Sequence, residues 1–301
     1  MTVSEQWVKA KLPAPMLNAI LERREFRLHS LDPEHLGLIG GDGYMPSEDH
    51  VLEDAIVAMQ LGKNVLLKGP TGSGKTRLAE TLSYLFGQPL HSVNCSVDLD
   101  AEGLVGFKTL EQEDGQSVVR FIPGPLVRAM TEGHWLYIDE VNMAKPETLP
   151  LINGVLDHRR TITNPFTGEV IRAKKGFGVI AAVNIGYVGT VPMNEALKNR
   201  FVVIDVPYLQ GDKLLQLLRE RSGLQNDDLL RRFVRLSSDL QEQIRSGQLA
   251  DEAASVRALL DACDLAAYLP PLRAVQRAIT DKLEDEREQA LVGNLAETYF
   301  G

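Results

Sequence analysis

The sequence is poor in cysteine, in aromatic residues and in long apolar runs, and it has no excess of positive charge. Its two cysteines, Cys95 and Cys263, are too few for a disulfide framework or a cysteine-rich zinc site, so we expect a reducing compartment. The 301 residues include 32 Lys and Arg against 41 Asp and Glu, a net charge of −9. That balance disfavours a protein that mainly binds a nucleic-acid backbone.

Signals for secretion or for membrane insertion are also missing. The N-terminal residues carry charges throughout and contain no apolar core of a signal peptide. The most apolar stretch, 177–188, is too short and too interrupted by glycine and asparagine to cross a bilayer. With 44% apolar and 24% charged residues, the composition is that of a globular protein, and we expect a cytoplasmic location without membrane association.

Short apolar runs alternate with helical patterns in the middle of the chain, which predicts a parallel sheet with helices on both faces, an α/β fold. The predicted strands are 65–67, 90–93, 135–138, 179–183 and 201–206. The predicted helices between them are 76–86, 124–131, 146–157 and 194–199. Pro150 and Gly154 are unfavourable in a helix interior, so the third of these helices is expected to be kinked or to begin later. Two longer connections, 105–123 and 161–172, are predicted to be inserted β-hairpins.

From residue 209 onward the strand patterns stop and only helical patterns remain. Leucine and other apolar residues recur there at helical spacing on one face of several successive segments. We therefore predict three parts: an N-terminal appendage with one or two short helices at 1–43, an α/β domain at 44–208, and a small all-helical domain at 209–301.

A phosphate-binding pattern directly follows the first predicted strand. It reads Gly69-Pro70-Thr71-Gly72-Ser73-Gly74-Lys75-Thr76 and fits G-x-x-x-x-G-K-[ST] between a strand and a helix. The glycines allow backbone N–H groups and the helix N-terminus to point at an anion. Lys75 would reach the β- and γ-phosphates, and Thr76 would present its hydroxyl to Mg²⁺. A glycine-rich turn without a ligand is the alternative, but the strand and helix on either side favour a nucleotide site.

Polar residues end two further strands at the edge of the sheet where this loop opens. Asp139 and Glu140 follow the strand at 135–138, and Asn184 follows the strand at 179–183. Asp139 is predicted to hold Mg²⁺, Glu140 to activate the attacking water, and Asn184 to position that water and the γ-phosphate. Each alone could be an ordinary turn residue, but together with the phosphate loop they predict ATP hydrolysis.

Two arginines are further candidates for contacts with phosphate. Ser255 is a plausible N-cap, which places Arg257 in the first turn of a helix, where the helix dipole disfavours positive charge unless an anion is near. The alternative is a solvated Arg257 near Asp251 and Glu252. Arg200 lies just before the last strand, where the residues alone favour a cap of the preceding helix.

The order of these parts resembles the AAA+ ATPases over about residues 45–300. A phosphate loop, an Asp-Glu strand, an Asn-ended strand, an Arg-Phe pair and a helical lid follow one another as in that family. The run LVGF at 104–107, the first hairpin and PGPL at 123–126 look like the helix-2 insert of the MoxR branch. The run GHWLYIDEVNMA at 133–144 and the second hairpin also resemble that branch and the related midasin modules. The nearest subgroup is NorQ/CbbQ-like.

This resemblance implies a ring of copies, most often hexameric, with ATP and Mg²⁺ as cofactors. Each site would lie between two subunits, with Arg200 supplied by the neighbour as an arginine finger and Arg257 acting as sensor 2. MoxR-type ATPases typically act as chaperones with a partner that bears a von Willebrand factor A (VWA) domain, and they remodel or activate a protein client. This chain lacks the Asp-x-Ser-x-Ser site of that domain, so the partner would be a separate polypeptide.

Two other functions stay open. The same inserts occur in nucleic-acid-acting AAA+ motors and in McrB-like NTPases, although the net charge and the lack of a basic cluster on either hairpin disfavour nucleic acid. A non-catalytic scaffold gated by nucleotide would need none of the three residues Glu140, Asn184 and Arg200. Phe107 and Phe121 flank the first hairpin, where they could contact a client or simply pack.

Overall fold

The N-terminal segment is more helical than the sequence predicts. The computed structural model describes residues 3–95, 99–113, 116–185 and 193–301. Three helices begin the chain: α1 (Val3–Lys11), α2 (Ala14–Ser30) and α3 (Pro33–Leu36). Instead of one or two short helices there is one of 17 residues, α2, between two short ones. Val8, Leu12 and Ile20 are buried in the same apolar cluster as Val65 and Leu67, so this segment contributes to the main core.

The α/β region has the predicted alternation of strands and helices. Its elements are α4 (Asp49–Gln60), β1 (Val65–Gly69), α5 (Lys75–Phe86), β2 (Leu90–Asn94), α6 (Ala101–Val105), β3 (Gly106–Glu113), β4 (Gln116–Pro123), α7 (Pro125–Glu132), β5 (Trp135–Asp139), α8 (Leu149–Leu156), β6 (Thr161–Thr163), β7 (Val170–Arg172), β8 (Gly178–Asn184), α9 (Glu195–Lys198) and β9 (Val202–Asp205). Five strands form one parallel sheet in the order β2-β5-β8-β1-β9. This sheet confirms the predicted α/β fold.

The strands of this sheet send alternate side chains to two apolar clusters. Val65 and Leu67 of β1 pack with α5 and the N-terminal helices, whereas Leu66 packs on the other face with α7 and α8. Because both faces are covered, the open positions for a ligand are at the strand ends.

Both predicted hairpins are present. β3 pairs antiparallel with β4, and β6 pairs antiparallel with β7. Asp114 and Gly115, the predicted centre of the first turn, lie outside the described residues. Phe121 packs against the core, while Phe107 is 48% exposed. The two aromatic residues at the base of the first hairpin therefore differ: one packs and the other faces solvent.

The helix after the acid pair begins at Leu149, later than the predicted start at residue 146. Pro150 lies in its first turn, where a missing N–H costs no hydrogen bond. Gly154 packs against the second hairpin, since a Cβ there would lie 2.8 Å from the carbonyl oxygen of Thr161. Both unfavourable residues are therefore explained, and the helix needs no kink.

Residues 209–301, all of which the structure describes, form helices and no strand. The α-helices are α10 (Gly211–Arg221), α11 (Asp227–Arg245), α12 (Val256–Ala266), α13 (Pro271–Ala278) and α14 (Glu286–Phe300). They share one apolar cluster, which includes the fully buried Phe233. We refer to this helical region as the lid. Within the described part of the chain, no helix has the length and apolar character needed to span a bilayer.

Candidate functional site

The phosphate loop, residues 69–76, connects β1 to α5 at the carboxyl edge of the sheet. Gly72 and Gly74 have φ angles of 76° and 94°, in the left-handed region that glycine adopts readily. A Cβ on Gly69 would lie 2.2 Å from the carbonyl oxygen of Val206, so the first residue of the loop must also be glycine. The loop therefore has the backbone that an anion site at a helix N-terminus requires.

Lys75 is buried at the start of α5, with 6% of its surface exposed. Its Nζ donates to the carbonyl oxygens of Gly69 and Pro70, at 3.0 and 2.7 Å. Burial lowers the pKa of this ammonium group to about 8, although nearby carboxylates, Asp139 foremost, oppose the shift. Lys75 is thus a desolvated cation whose charge is poorly compensated by two neutral carbonyl groups, which favours an anionic ligand.

Two oxygen donors of the kind that Mg²⁺ prefers lie side by side next to the loop. Thr76 Oγ1 is 3.3 Å from Asp139 Oδ2 at the end of β5. The hydroxyl of Tyr137 lies 3.0 Å from the same Thr76 oxygen. Hydroxyl and carboxylate oxygens fit Mg²⁺. Sequence analysis missed Tyr137, although it lies two residues before Asp139 and so shares its face of the strand.

Glu140 and Asn184 contact each other at the ends of the neighbouring strands β5 and β8. Asn184 Nδ2 donates to Glu140 Oε1 at 3.0 Å. Glu140 has a φ of 50°, a strained left-handed backbone for a residue with a side chain, and its N–H donates to Asp139 Oδ1 at 3.0 Å. This turn sends the two adjacent carboxylates in different directions, Asp139 toward Thr76 and Glu140 toward Asn184.

The lid contacts the phosphate loop directly. Ser255 Oγ accepts a hydrogen bond from the Ala258 N–H at 3.1 Å, which confirms its predicted role as N-cap of α12. A Cβ on Gly72 would lie only 2.4 Å from the Cβ of Ser255, and the Val256 N–H donates to the Gly72 carbonyl oxygen at 3.4 Å. Arg257 follows as an exposed residue in the first turn of α12. The start of α12 is therefore packed against the loop that would hold a phosphate.

Tyr208 forms a second contact between the lid and the loop. Its hydroxyl lies 3.1 Å from the carbonyl oxygen of Thr71 and 2.7 Å from that of Asp251. The carboxyl group of Asp251 is near enough to Lys75 to favour its charged form. Neither Tyr208 nor Asp251 has a local sequence signal for this position, because both reach the loop only through tertiary folding.

Arg200 does not lie at the phosphate loop of its own chain. It precedes the edge strand β9, in which Val202 pairs with Val65 at the start of β1. It is therefore separated from Gly69 by at least about 13 Å of strand. Its exposed guanidinium donates to the carbonyl oxygen of Ala196 in α9. Within one chain Arg200 caps a helix, and a contact with phosphate would require a second copy.

Asn64 connects the Arg200 segment to the start of β1. Its side-chain Nδ2 donates to the carbonyl oxygens of Leu156 and Arg200, at 3.0 and 3.2 Å, and its backbone carbonyl oxygen accepts from the Val202 N–H at 2.8 Å. The side chain is buried, with 7% of the residue exposed. One residue thus holds together the end of α8 and the beginnings of β1 and β9.

Comparison with known proteins agrees with this architecture. The family model of the AAA domain (dynein-related subfamily) matches residues 64–201. The uncharacterized protein YojN of Bacillus subtilis (strain 168) is 59% identical over 300 residues, which cover 100% of this chain and 98% of YojN. The uncharacterized protein SERP0979 of Staphylococcus epidermidis is 59% identical over 258 residues, which cover 85% of this chain and 98% of that protein.

Among solved structures, a RuvB point mutant from Thermotoga maritima matches with a TM-score of 0.51 at 16% identity. The match covers 86% of this chain and 76% of that one, and it shows the fold alone. From the family model and from the sheet with its phosphate loop, we conclude that the chain belongs to the AAA+ ATPase family.

Proposed function

We propose that this chain is a MoxR-type AAA+ ATPase that hydrolyses Mg²⁺-ATP in a ring of copies and remodels a partner protein complex. The observation that carries this proposal is the pairing of Glu140 with Asn184 beside the phosphate loop. A site that only holds nucleotide has no need of a carboxylate kept in a strained turn at this position. The pair therefore favours hydrolysis over a nucleotide-gated scaffold.

In this mechanism the backbone of the phosphate loop and Lys75 bind the phosphates. Thr76 and Asp139 would hold Mg²⁺, which when bound neutralises charge on the phosphate oxygens. Glu140 accepts a proton from the attacking water, and Asn184 keeps the Glu140 carboxylate oriented for that transfer. The hydrogen bond between them fixes the base in place before substrate arrives.

The ring is supported by the position of Arg200. Because this guanidinium is remote from its own phosphate loop, it can stabilise the γ-phosphate charge only at the site of a neighbouring copy. A head-to-tail interface of this kind closes into a ring, which we expect to be hexameric as in the MoxR branch. The contact between Gly72 and Ser255 would then link nucleotide binding to the position of the lid, with Arg257 responding to the phosphate.

The first hairpin favours a protein client over nucleic acid. Its exposed side chains include Phe107, Leu110 and Val119, with exposed fractions of 48%, 73% and 60%. Arg120 on the same hairpin forms ion pairs with Glu111 and Glu113, which reduce the positive charge available to a phosphate backbone. An apolar, charge-compensated hairpin suits contact with protein, and we propose a separate VWA-domain protein as the partner.

A nucleotide trap tests this proposal. The Glu140→Gln variant, loaded with ATP and used as bait, should retain a VWA-domain protein, because ring and lid stay in the ATP-bound arrangement. Lys75→Ala is the matched control, since it should bind no ATP and retain no such protein. Recovery of DNA instead, with an affinity that falls steeply with salt, would support the motor alternative.

The pKa of Lys75 makes ATP affinity dependent on pH. Below about pH 8 the ammonium group is charged, and affinity should not change through this residue. As the pH rises above 8 the free protein loses this proton, so the dissociation constant should increase by up to about tenfold per pH unit. Calorimetry in buffers of different ionisation enthalpy should detect proton uptake on ATP binding at pH 8.5.

A matched variant isolates the contribution of Lys75 to this pH dependence. Lys75→Arg should bind more weakly but keep its affinity constant across this range, because a guanidinium stays charged. A wild-type affinity that is constant from pH 7 to pH 9.5 would contradict the predicted role of Lys75.

A further inference from the structure

A cluster of three histidines and one glutamate lies at the opposite end of β5 from the nucleotide site. His134 directly precedes β5, Glu132 ends α7, His91 lies in β2 and His35 in α3. We refer to these four residues as the histidine cluster. About 16 Å of strand separate it from Asp139, so it is distinct from the Mg²⁺ position.

The ring nitrogens of the cluster converge on one carboxylate oxygen. Glu132 Oε2 lies 3.0 Å from His134 Nδ1, 3.3 Å from His35 Nε2 and 3.5 Å from His91 Nε2. His91 Nε2 is also 3.1 Å from His134 Nδ1. Ligands of a tetrahedral ion with bonds of about 2.0–2.1 Å lie about 3.3 Å apart. One nitrogen each of His35 and His134 and one Glu132 oxygen all lie within 4.8 Å of one another, close enough for three ligands of one ion, whereas His91 is not part of that group.

The two inner histidines are buried beside Glu132. The side chains of His134 and His91 are only 7% and 8% exposed. Without a metal, one of the two facing nitrogens donates its N–H to the other at 3.1 Å. A cation bound by His134 Nδ1 would use the lone pair of that nitrogen instead.

A second carboxylate supports the outer histidine. Asp32 Oδ2 lies 3.0 Å from His35 Nδ1, while Asp32 Oδ1 accepts from the backbone N–H of His35 at 2.9 Å and caps α3. A carboxylate on the second ring nitrogen fixes the tautomer and raises the basicity of a metal-binding histidine. Arg27 and Arg128 oppose positive charge in this region, and the carboxylates of Asp32 and Glu132 offset them.

We propose that the histidine cluster binds one Zn²⁺ ion, which holds α3 of the N-terminal segment against the sheet. The imidazoles of His35 and His134 with the carboxylate of Glu132 suit Zn²⁺ better than Mg²⁺ or Ca²⁺, which prefer oxygen ligands. A water molecule would complete the tetrahedral set, and His91, whose Nε2 lies 3.5 Å from Glu132 Oε2, would support that carboxylate from outside it. A helix of four residues such as α3 has little stability of its own, so the ion would stabilise its attachment.

Zinc titration of the full-length protein tests this inference. After removal of metal with a chelator and dialysis, ZnCl₂ is added in competition with a chromophoric chelator. We expect one zinc per chain and a higher Tm in the zinc-bound form. His134→Ala and His35→Ala should weaken zinc binding by at least about tenfold, and Asp32→Asn, which keeps the N-cap, by about 10- to 100-fold.

Two control variants test whether zinc binds at the histidine cluster and not elsewhere on the protein. His158→Ala removes a histidine whose side chain is 85% exposed and should bind zinc like the wild type. Asp139→Asn should also keep the site, so a loss in that variant would place the ion at the nucleotide site instead. Co²⁺ should give the visible absorption of a tetrahedral complex in the wild type and not in His35→Ala.

Two results would overturn the proposal. One is a wild-type protein that takes up no zinc, and the other is a His35→Ala variant that binds zinc as tightly as the wild type. In either case the cluster is a hydrogen-bonded group around Glu132 only. His35 is partly exposed on a short helix, so its replacement should leave the fold intact, and circular dichroism checks this.

Discussion

Replacement of Glu140 by glutamine should lower kcat for ATP hydrolysis by about 10²- to 10⁴-fold while ATP still binds. Asn184 can donate to the glutamine oxygen as it does to Glu140 Oε1, so the geometry of the site is kept. Only the ability to accept a proton from water is lost. A phosphate-release assay measures kcat, and calorimetry with ATP measures the dissociation constant, which should change by less than tenfold.

Glu147→Gln is the matched control for this experiment. Glu147 is an exposed carboxylate a few residues further along the same loop, so its replacement should leave hydrolysis unchanged. Turnover of Glu140→Gln near the wild-type rate would exclude Glu140 as the base. Negligible turnover of the assembled wild-type protein would favour the nucleotide-gated scaffold.

Replacement of Arg200 by alanine should reduce hydrolysis by about 10³- to 10⁵-fold in the assembled protein, with little change in ATP affinity. Arg200 lies at the amino end of its own sheet, so in the proposed ring its loss would affect the neighbour's site and not its own. Lys75→Ala should be inactive for the opposite reason, because it binds no ATP but still supplies Arg200. In an equal mixture of the two variants that assemble at random, about a quarter of the sites should combine an intact phosphate loop with an intact arginine.

The control for Arg200 is Lys198→Ala, which removes an exposed positive charge from the short helix that Arg200 follows and should not alter hydrolysis. If Arg200 only caps α9, its replacement should shift the Tm and leave kcat unchanged. That outcome, or the absence of any recovery in the mixed sample, would contradict a site shared between subunits. Gel filtration of the mixture checks that both variants enter the same assembly.

The central fold and the phosphate loop could be predicted because their signals are local. Apolar runs such as 65–67 and 135–138 are bounded by glycine and polar residues, and their alternation with helices determines a parallel sheet. The strand ends then bring Asp139, Glu140 and Asn184 to one edge, whatever the details of the packing. The cap at Ser255 was equally predictable from the residues around it.

Contacts between distant segments could not be predicted from one sequence. Ile20 is buried in the core, but the mostly charged residues 22–27 that follow it make the apolar face of α2 hard to recognise in the sequence. Tyr208, directly before the lid, reaches the phosphate loop, a contact that no spacing indicates. The histidine cluster combines residues from three elements and from the turn before β5, and only Glu132 and His134 are close in sequence.

The hydrogen bonds of Asn64 have a consequence for the order in which neighbouring subunits would hydrolyse ATP. The side-chain amide of Asn64 donates to the carbonyl oxygen of Arg200. Asn64 also directly precedes β1, the strand that ends in the phosphate loop. A shift of β1 when ATP enters or phosphate leaves would therefore be passed to the arginine that serves the next subunit. In the proposed ring, the nucleotide state of each subunit would set the position of Arg200 at its neighbour's site. Successive hydrolysis events would then follow one direction around the ring instead of occurring independently.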